Sequence, residues 1–450
     1  ITKIVRDFTE ARFEPPVVVQ SPFQYFRMLF TDEMIQHVAH HTNLYSAQEL
    51  GDPIKTNPEE IEDFLSMLLF MGVFKFPSLE DYWHHESRFS VIADIMPRKR
   101  FQLLRRYIHF NDNQQCNENP DRFYKIRPLF DMLRNQCLLI PSTYKHSVDE
   151  VMIGYKGTRA GSLRQYIGNK PDKWGFKVFC RASSSGIIHD LLMYQGASTF
   201  FNVTLSEEEQ MLPLGAKVVT TLCKTIQHFK LVQTLQTSLG VQCIGTVRPN
   251  RTGGAPLMTD KELIKRGRGS YDYRSAEGVI AVKWFDNKCV NLLSNASGIM
   301  PLSAVKRWCK ESKEKITHMG GIDLSDMLVH LYKTPAKSRR WYIPLFGYIL
   351  DLSIANSWLV YKRDCGLLNE KAMPLKRFRL AVKHYTPRPS LPKPQPDVRY
   401  DSLGHWPLHC DKRGRCNYCP KGVSRWKCQK CNVFLCLNAN QECFAAYHQK

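Results

Sequence analysis

Hydrophobic and polar positions divide the chain into stretches of different period. Up to about residue 145, apolar residues recur at helical spacing. In "NPEEIEDFLSMLLFMGVF", Asn57 stands at the N-cap, Pro58 at the first turn, and Glu59 and Glu60 precede the apolar run. "MPRKRFQLLRRYIHF" reads as a second amphipathic helix with a basic face. From about Ser147 the pattern shortens to β-rich runs: "GFKVFCRAS", "IIHDLLMYQG", "AKVVTTLC" and "VQCIGTVR". Helical lengths lie between the later ones, such as Thr225 to Leu239. Strands interleaved with helices predict an α/β sheet, mixed rather than all parallel.

Residues 253 to about 310 read as an inserted β-rich unit, in which "GVIAVKWFDNKCVNLLS" predicts a hairpin turning near Asp286 and Asn287. "GGIDLSDMLVHLYKT" runs from a glycine turn into a helix, and helices continue to about Tyr385. The most apolar segment, Trp341 to Tyr361, carries Pro344, Asp351 and Asn356, and its Leu345, Ile349, Leu352 and Leu359 fall at helical spacing. That pattern predicts a buried helix of a soluble protein rather than a membrane span. Residues 386–404 hold five prolines within eleven positions, an extended linker.

Charge changes the picture. The 450 residues carry a formal net charge of +21, which favours a polyanionic partner, nucleic acid above all. From Met327 to Lys450 there are 22 Lys and Arg against 7 Asp and Glu, so most of the excess lies in the last third. No signal peptide is recognised. The chain opens at Ile1, so its own start, and any targeting signal there, is expected to be missing.

Seven of the fifteen cysteines crowd between Cys410 and Cys443, a metal pattern that points inside the cell rather than to secreted disulfides. Cys416-x2-Cys419 and Cys428-x2-Cys431 each offer two corners of a zinc tetrahedron. Cys436, Cys443 and His448 follow. His409 is taken as the eighth ligand, with His405 and Cys410 as the other candidates. Eight ligands predict two structural zinc ions in a cross-braced module over 405–450, which is too small to fold on its own core.

The stretch "VDEVMIGYKGTRAGSLRQYIGNKPDKWGFKVF", 148–179, sets the acid pair Asp149 and Glu150 before a glycine-rich segment with Lys156, Arg159 and Arg164. A carboxylate next to a phosphate-binding surface fits metal-assisted phosphoryl transfer. With "GTVRPNR", "GGIDLSD", "KSRRWYIPLFGYILDLSIANSWLVYK" and the cysteine-rich tail, this stretch resembles the piggyBac transposase family over nearly the whole chain. The resemblance implies an α/β RNase H-like catalytic-type domain with a β-rich insertion, flanked by a helical dimerisation and DNA-binding domain. The expected order is a helical region at 1–145 and 327–385, the RNase H-like domain at 146–252 and 311–326, the insertion at 253–310, the linker at 386–404 and the zinc module at 405–450.

Family transposases hold two Mg²⁺ ions with an aspartate trio and a nearby fourth, since hard carboxylates are the ligands such ions need. By resemblance Asp149 matches the first position, Asp323 the third and Asp326 the fourth. The middle aspartate is expected at a strand end about twenty residues before "GTVR", which lands on Leu222 to Lys224. No Asp or Glu occurs from Gln210 to Thr259, fifty residues where about four or five would be usual. Asp190 and Glu207 to Glu209 are the nearest acids upstream.

These observations predict a domesticated piggyBac-type protein that has lost the middle ligand and still binds double-stranded DNA, as a nuclear, chromatin-associated homodimer. Lys337, Arg339, Arg340, Lys376, Arg377 and Arg379 are the expected DNA contacts. Two alternatives remain: a working nuclease, with Mg²⁺ and Asp149 essential, or a zinc module that binds a protein or histone tail.

Overall fold

The computed structural model describes residues 16–115, 120–141, 146–168, 170–225, 244–249, 252, 255–276, 279–286, 288–295, 320–382, 399–400, 403–419, 422–438 and 442–449. Six helices come first: α1 (Pro22–Leu29), α2 (Asp32–Leu50), α3 (Pro58–Val73), α4 (Ser90–Ala93), α5 (Arg98–Tyr107) and α6 (Arg127–Leu139). Strands β1 (His146–Gly154), β2 (Gln165–Tyr166), β3 (Trp174–Ser183) and β4 (Ile188–Met193) follow, then α7 (Glu207–Met211) and α8 (Leu214–Lys224). The middle of the chain gives β5 (Ile244–Val247), α9 (Asp260–Lys265), β6 (Tyr271–Ala276), β7 (Val279–Phe285) and β8 (Cys289–Ser294). Helices α10 (Gly321–Leu331), α11 (Tyr342–Leu367) and α12 (Leu375–Ala381) precede β9 (Pro407–Arg415), β10 (Val423–Cys428) and α13 (Cys443–His448). Two compact units divide these elements. One holds Tyr25–Thr31 and Asn111–Met373, the other Ser21–Gln24, Asp32–Phe110 and Pro374–Lys450.

In the second unit, α3 begins as its capping chemistry requires: the Asn57 side chain accepts from the Glu60 N–H at 2.8 Å, and Pro58 opens the helix. Arg100 on α5 forks onto Glu60 at 2.7 and 2.6 Å, and Phe64 meets Phe101 at 5.1 Å between ring centres. The helix expected from "MPRKRFQLLRRYIHF" is α5.

In the first unit, β1 pairs with β3 over its full length, with Asp149 opposite Cys180 and Gly154 opposite Gly175, and β3 pairs with β4 on its other side. Every strand pairing among the described residues is antiparallel, so the mixed sheet is not observed there. The reason is local. A short turn, with the Ser183 N–H donating to Ile187 O at 3.0 Å, joins β3 to β4 in place of a helical crossover.

The run "AKVVTTLC", expected as a strand, is instead helix α8. Val218 and Leu222 lie one turn apart and pack on Phe179 of β3 and Leu192 of β4. Burying such side chains is worth about 1.5–3 kcal/mol each, more than the roughly 1 kcal/mol span of β-propensity. Sheet pairing also moves "IGTV". Expected within the α/β domain, it forms β5 and pairs with β8 of the insertion, whose four strands run β5-β8-β7-β6. The hairpin expected around Asp286 is β7–β8. The expected helix from Thr225 to Leu239 and most of the 386–404 linker lie outside the described residues.

Helix α11 is the one described helix long and apolar enough to cross a membrane, and nearly all of it is buried within the protein. Its polar residues are spent internally. Asn356 brackets β4 by accepting from Ile188 N–H at 3.0 Å and donating to Ile188 O at 2.8 Å. Buried Asp351 accepts from the Thr334 N–H at 2.9 Å and its hydroxyl at 2.6 Å, which fixes the start of the segment running to Arg340.

Candidate functional site

Three features carry chemistry: the acid set, the exposed cations and the cysteine-rich tail. Asp149 is exposed on β1, and its Oδ1 accepts from the neighbouring Glu150 N–H at 2.8 Å. Asp323 lies in the first turn of α10. Gly321 lets that helix start close to the sheet, since a Cβ there would sit 2.0 Å from Ser183 O. Asp326, one turn on, has its Oδ1 3.3 Å from His330 Nδ1, which donates to the Asp326 main-chain O at 2.8 Å and leaves that buried Oδ1 without a hydrogen bond. His330 Nε2 reaches Asp172 Oδ2 at 3.4 Å, and Lys333 Nζ reaches the same oxygen at 3.1 Å. The Asp326 carboxylate beside it raises His330 to about 9 against its partial burial, so the imidazole is a cation at neutral pH. Asp326 thus already faces a cation from its own helix. Among the described residues, Asp149, Asp323 and Asp326 do not gather their ligand atoms within 4.8 Å of one another as the tail donors do.

Leu222 to Lys224 correct the expectation for the middle position. They form the last turn of α8 rather than a strand end, with Leu222 fully buried and Lys224 bonded to Glu209 at 2.6 Å. The acid-free run continues through residues 226–243, which are outside the described set. Asp190 is no substitute. Fully buried, it accepts from Arg134 Nε at 2.6 Å, the Thr225 hydroxyl at 2.5 Å and the Leu191 N–H at 2.8 Å.

Of the expected DNA contacts, Lys337 and Arg339 are exposed and Arg340 is half-buried beside Tyr342. The Tyr155 hydroxyl donates to Arg339 O at 3.1 Å, which sets this segment beside the basic loop that starts at Lys156. Lys376 and Arg377 are exposed on α12 in the other unit. Arg379 is not available: it is 4% exposed, and its Nε donates to Leu69 O at 3.1 Å. Helical phase decides this, because Arg379 shares the inward face of α12 with Leu375 and Phe378.

In the tail, eight side chains gather into two groups whose ligand atoms lie within 4.8 Å of one another: Cys416, Cys419, Cys436 and Cys443, and His405, Cys428, Cys431 and His448. Members alternate along the chain, the order of a cross-brace. His405 takes the position expected for His409, with its Nδ1 3.4 Å from both Cys428 Sγ and Cys431 Sγ. His409 is exposed on β9, opposite Trp426 in register, with the rings 5.0 Å apart. Strand pairing carries it outward, whereas His405 precedes Pro407, where the strand begins. Cys410 belongs to neither group.

The donors fit a soft tetrahedral ion. Gly422 leaves room for it, since a Cβ there would stand 2.5 Å from both Cys419 Sγ and Cys436 Sγ. Burial would raise the Cys416 thiol, but the N–H groups of Cys419, Tyr418 and Cys436 bring it down to about 7. Burial and the neighbouring thiols push Cys436 up to about 12. A bound cation would relieve that conflict.

The human PiggyBac transposable element-derived protein 3 is 28% identical over 476 residues, covering 96% of this chain and 77% of that protein. The human PiggyBac transposable element-derived protein 2 is 28% identical over 440 residues, covering 89% and 72%. A family model described as Transposase IS4 matches residues 21–358. The chain belongs to the piggyBac transposase family. Its fold is also similar to that of piggyBac transposase in the cryo-EM structure of a synaptic complex with hairpin DNA. The TM-score is 0.65 at 22% identity, over 93% of this chain and 95% of that one. The protein is therefore transposase-derived, with an RNase H-like domain at its centre.

Sequence reasoning missed His330 beside Asp326, and Lys333 with His330 on Asp172. The signal was present as a helical i, i+4 pair, Asp326 and His330, and as Lys333 one turn further on.

Proposed function

We propose that this piggyBac family member is a domesticated DNA-binding protein whose acid set no longer holds the two divalent ions of strand cleavage. One observation carries the reading: the Asp326 carboxylate faces the His330 cation at 3.3 Å, while the exposed cations of 337–339 lie beside the basic loop from Lys156. A family site needs converging carboxylates to hold Mg²⁺ ions about 4 Å apart, and Leu222 to Lys224 supply none. Phosphate binding needs only placed Lys and Arg on a folded frame. The solved relative forms a synaptic complex with hairpin DNA, which supports the same partner class here. We assign structural zinc to both tail clusters from their thiolate and imidazole donors. A nuclear, chromatin-associated homodimer on paired DNA half-sites completes the proposal.

A histone-tail reading of the zinc module is disfavoured by charge, because residues 405–450 hold eight Lys and Arg against two acids and would repel a basic peptide. The test is a selection from random double-stranded DNA with zinc-loaded protein and Mn²⁺, sequencing both enriched sites and new strand ends. An enriched motif with intact ends is expected. Specific new ends that vanish in Asp149→Ala would restore the nuclease reading, and no enrichment would favour a protein partner.

A further inference from the structure

Between β1 and β3 the chain forms a loop, Tyr155 to Lys173, whose far side is closed by β2. It carries Lys156, Arg159, Arg164, Lys170 and Lys173. Its only acid, Asp172, is held by Lys333 and His330. Two aromatic rings stand at the mouth of this loop. Tyr166 and Trp174 are direct partners across β2 and β3, yet they are 56% and 44% exposed. Their ring centres are 4.9 Å apart at an interplanar angle of 51°, so neither ring covers the other and each keeps surface for a third planar group. Arg164 lies over the Trp174 indole at 4.4 Å, pinned there by bonds to Lys156 O at 3.3 Å and Gly157 O at 3.1 Å. Trp83 and Trp358 are used differently. Both are partly buried and donate Nε1 to main-chain carbonyls, those of Met96 and Met373.

A cross-strand aromatic pair steadies a hairpin wherever it sits, but that role needs neither exposure nor a surrounding ring of cations. Duplex DNA also has no use for the pair, since its bases are stacked on one another and present only edges and phosphates. Exposed aromatic faces backed by a guanidinium and flanked by lysines fit bases that have left the stack. We propose that Arg164, Tyr166 and Trp174 form a platform on which unpaired bases of a bound DNA strand stack, with Lys156, Arg159 and Lys173 receiving its phosphates. The platform lies on the strand pair that carries Asp149, six residues or about 20 Å from it in register, just past the end of β1. This inference rests on the DNA-binding reading above and adds the form of DNA that is preferred.

The experiment compares the zinc-loaded full chain by fluorescence anisotropy on three DNAs of one sequence: a duplex, a duplex with a central unpaired thymine bubble, and that bubble with abasic sites in place of the thymines. The wild-type chain should prefer the bubble and lose that preference when the bases are removed, a result that depends on no variant folding. Trp174→Ala and Tyr166→Ala should each weaken bubble binding by roughly 5- to 150-fold, the range of one lost base–aromatic stack, and leave duplex binding within about twofold. Trp174→Phe should retain most of the preference. Equal losses on duplex and bubble, or an abasic bubble bound as well as the thymine one, would overturn the platform. Wild-type protein that binds the duplex but prefers no bubble removes this inference alone. Protein that binds none of the three removes the DNA-binding reading, and the platform with it.

Discussion

The molecule contains two places where metal chemistry is expected, and they are built in opposite ways. In the tail, eight side chains from separated positions close into two compact sets, with a glycine where a Cβ would crowd two sulfurs. In the RNase H-like domain, the carboxylates matched to the family stand on a strand and a helix and do not gather within 4.8 Å of one another, and Asp326 faces a histidine at 3.3 Å. Thiols and imidazoles gathered in a module too small for its own core need an ion to hold them together. The carboxylates sit on a frame that the sheet, α10 and α11 already hold, so the frame can outlast their chemistry. On the proposed reading, metal is structural in one region and dispensable in the other.

The largest effect should come from stripping the tail. Structural zinc in small modules supplies about 10 kcal/mol or more of folding free energy. Chelation at neutral pH should therefore abolish the near-ultraviolet dichroism of the module's aromatics and leave that of the remaining chain. Metal analysis should find two zinc ions per chain, falling toward one in His405→Ala and staying at two in His409→Ala. A loss in the His409 variant alone would reverse the ligand assignment and undo half of the contrast.

Next in size is Asp190, the nearest upstream acid to the region expected to hold the middle ligand. It is fully buried between Arg134 and Thr225, with Arg181 also buried beside them. Removing one partner of such a pair leaves a buried cation unbalanced, so Asp190→Ala should cost about 3–5 kcal/mol in urea unfolding. A cost below about 1 kcal/mol would show an Asp190 free to serve the acid set, and the nuclease reading would gain.

How much of this was legible in the sequence depended on the range of the deciding interaction. Asn57 and Pro58 announced α3 because capping is settled within four residues, and the glycine turn of "GGIDLSD" announced α10 without a side-chain cap. The β7–β8 hairpin was legible from strand runs on either side of Asp286. Helix α8 was not, since Val218 and Leu222 are drawn into a helix by Phe179 and Leu192, about thirty to forty residues upstream. The two CxxC pairs, with Cys436, Cys443 and His448 following them, gave seven of the eight tail donors. The choice of His405 over His409 depended on where β9 begins and on its pairing with Trp426. Arg379 looked like one more cation in "LKRFRLA" until the phase of α12 turned it toward Leu69. The acid-free run was plain in the sequence, but its place in the fold was not.

The smallest effect separates the two regions by pH. His189 is buried on β4, donates Nδ1–H to Ile140 O at 3.2 Å, and has no partner for Nε2. Burial, with Arg181 and His146 close by, lowers its pKa to about 3. Its unfolded value is about 6.5, so the unfolded chain takes up this proton first as pH falls. The folded domain is unaffected above pH 6.5 and should lose about 1.4 kcal/mol per unit below it, near 2 kcal/mol by about pH 5. His189→Gln should flatten that slope. Zinc release from the tail is also proton-driven, because thiolates must be reprotonated as the ion leaves, and it would lower stability over a similar range. A chromogenic chelator present during the titration distinguishes the causes. Stability that falls while zinc stays bound, and stops falling in His189→Gln, places the acid sensitivity in the RNase H-like frame. A fall that tracks zinc release and ignores the substitution would place it in the tail, leaving the frame beneath the acid set less dependent on buried charge than its geometry implies.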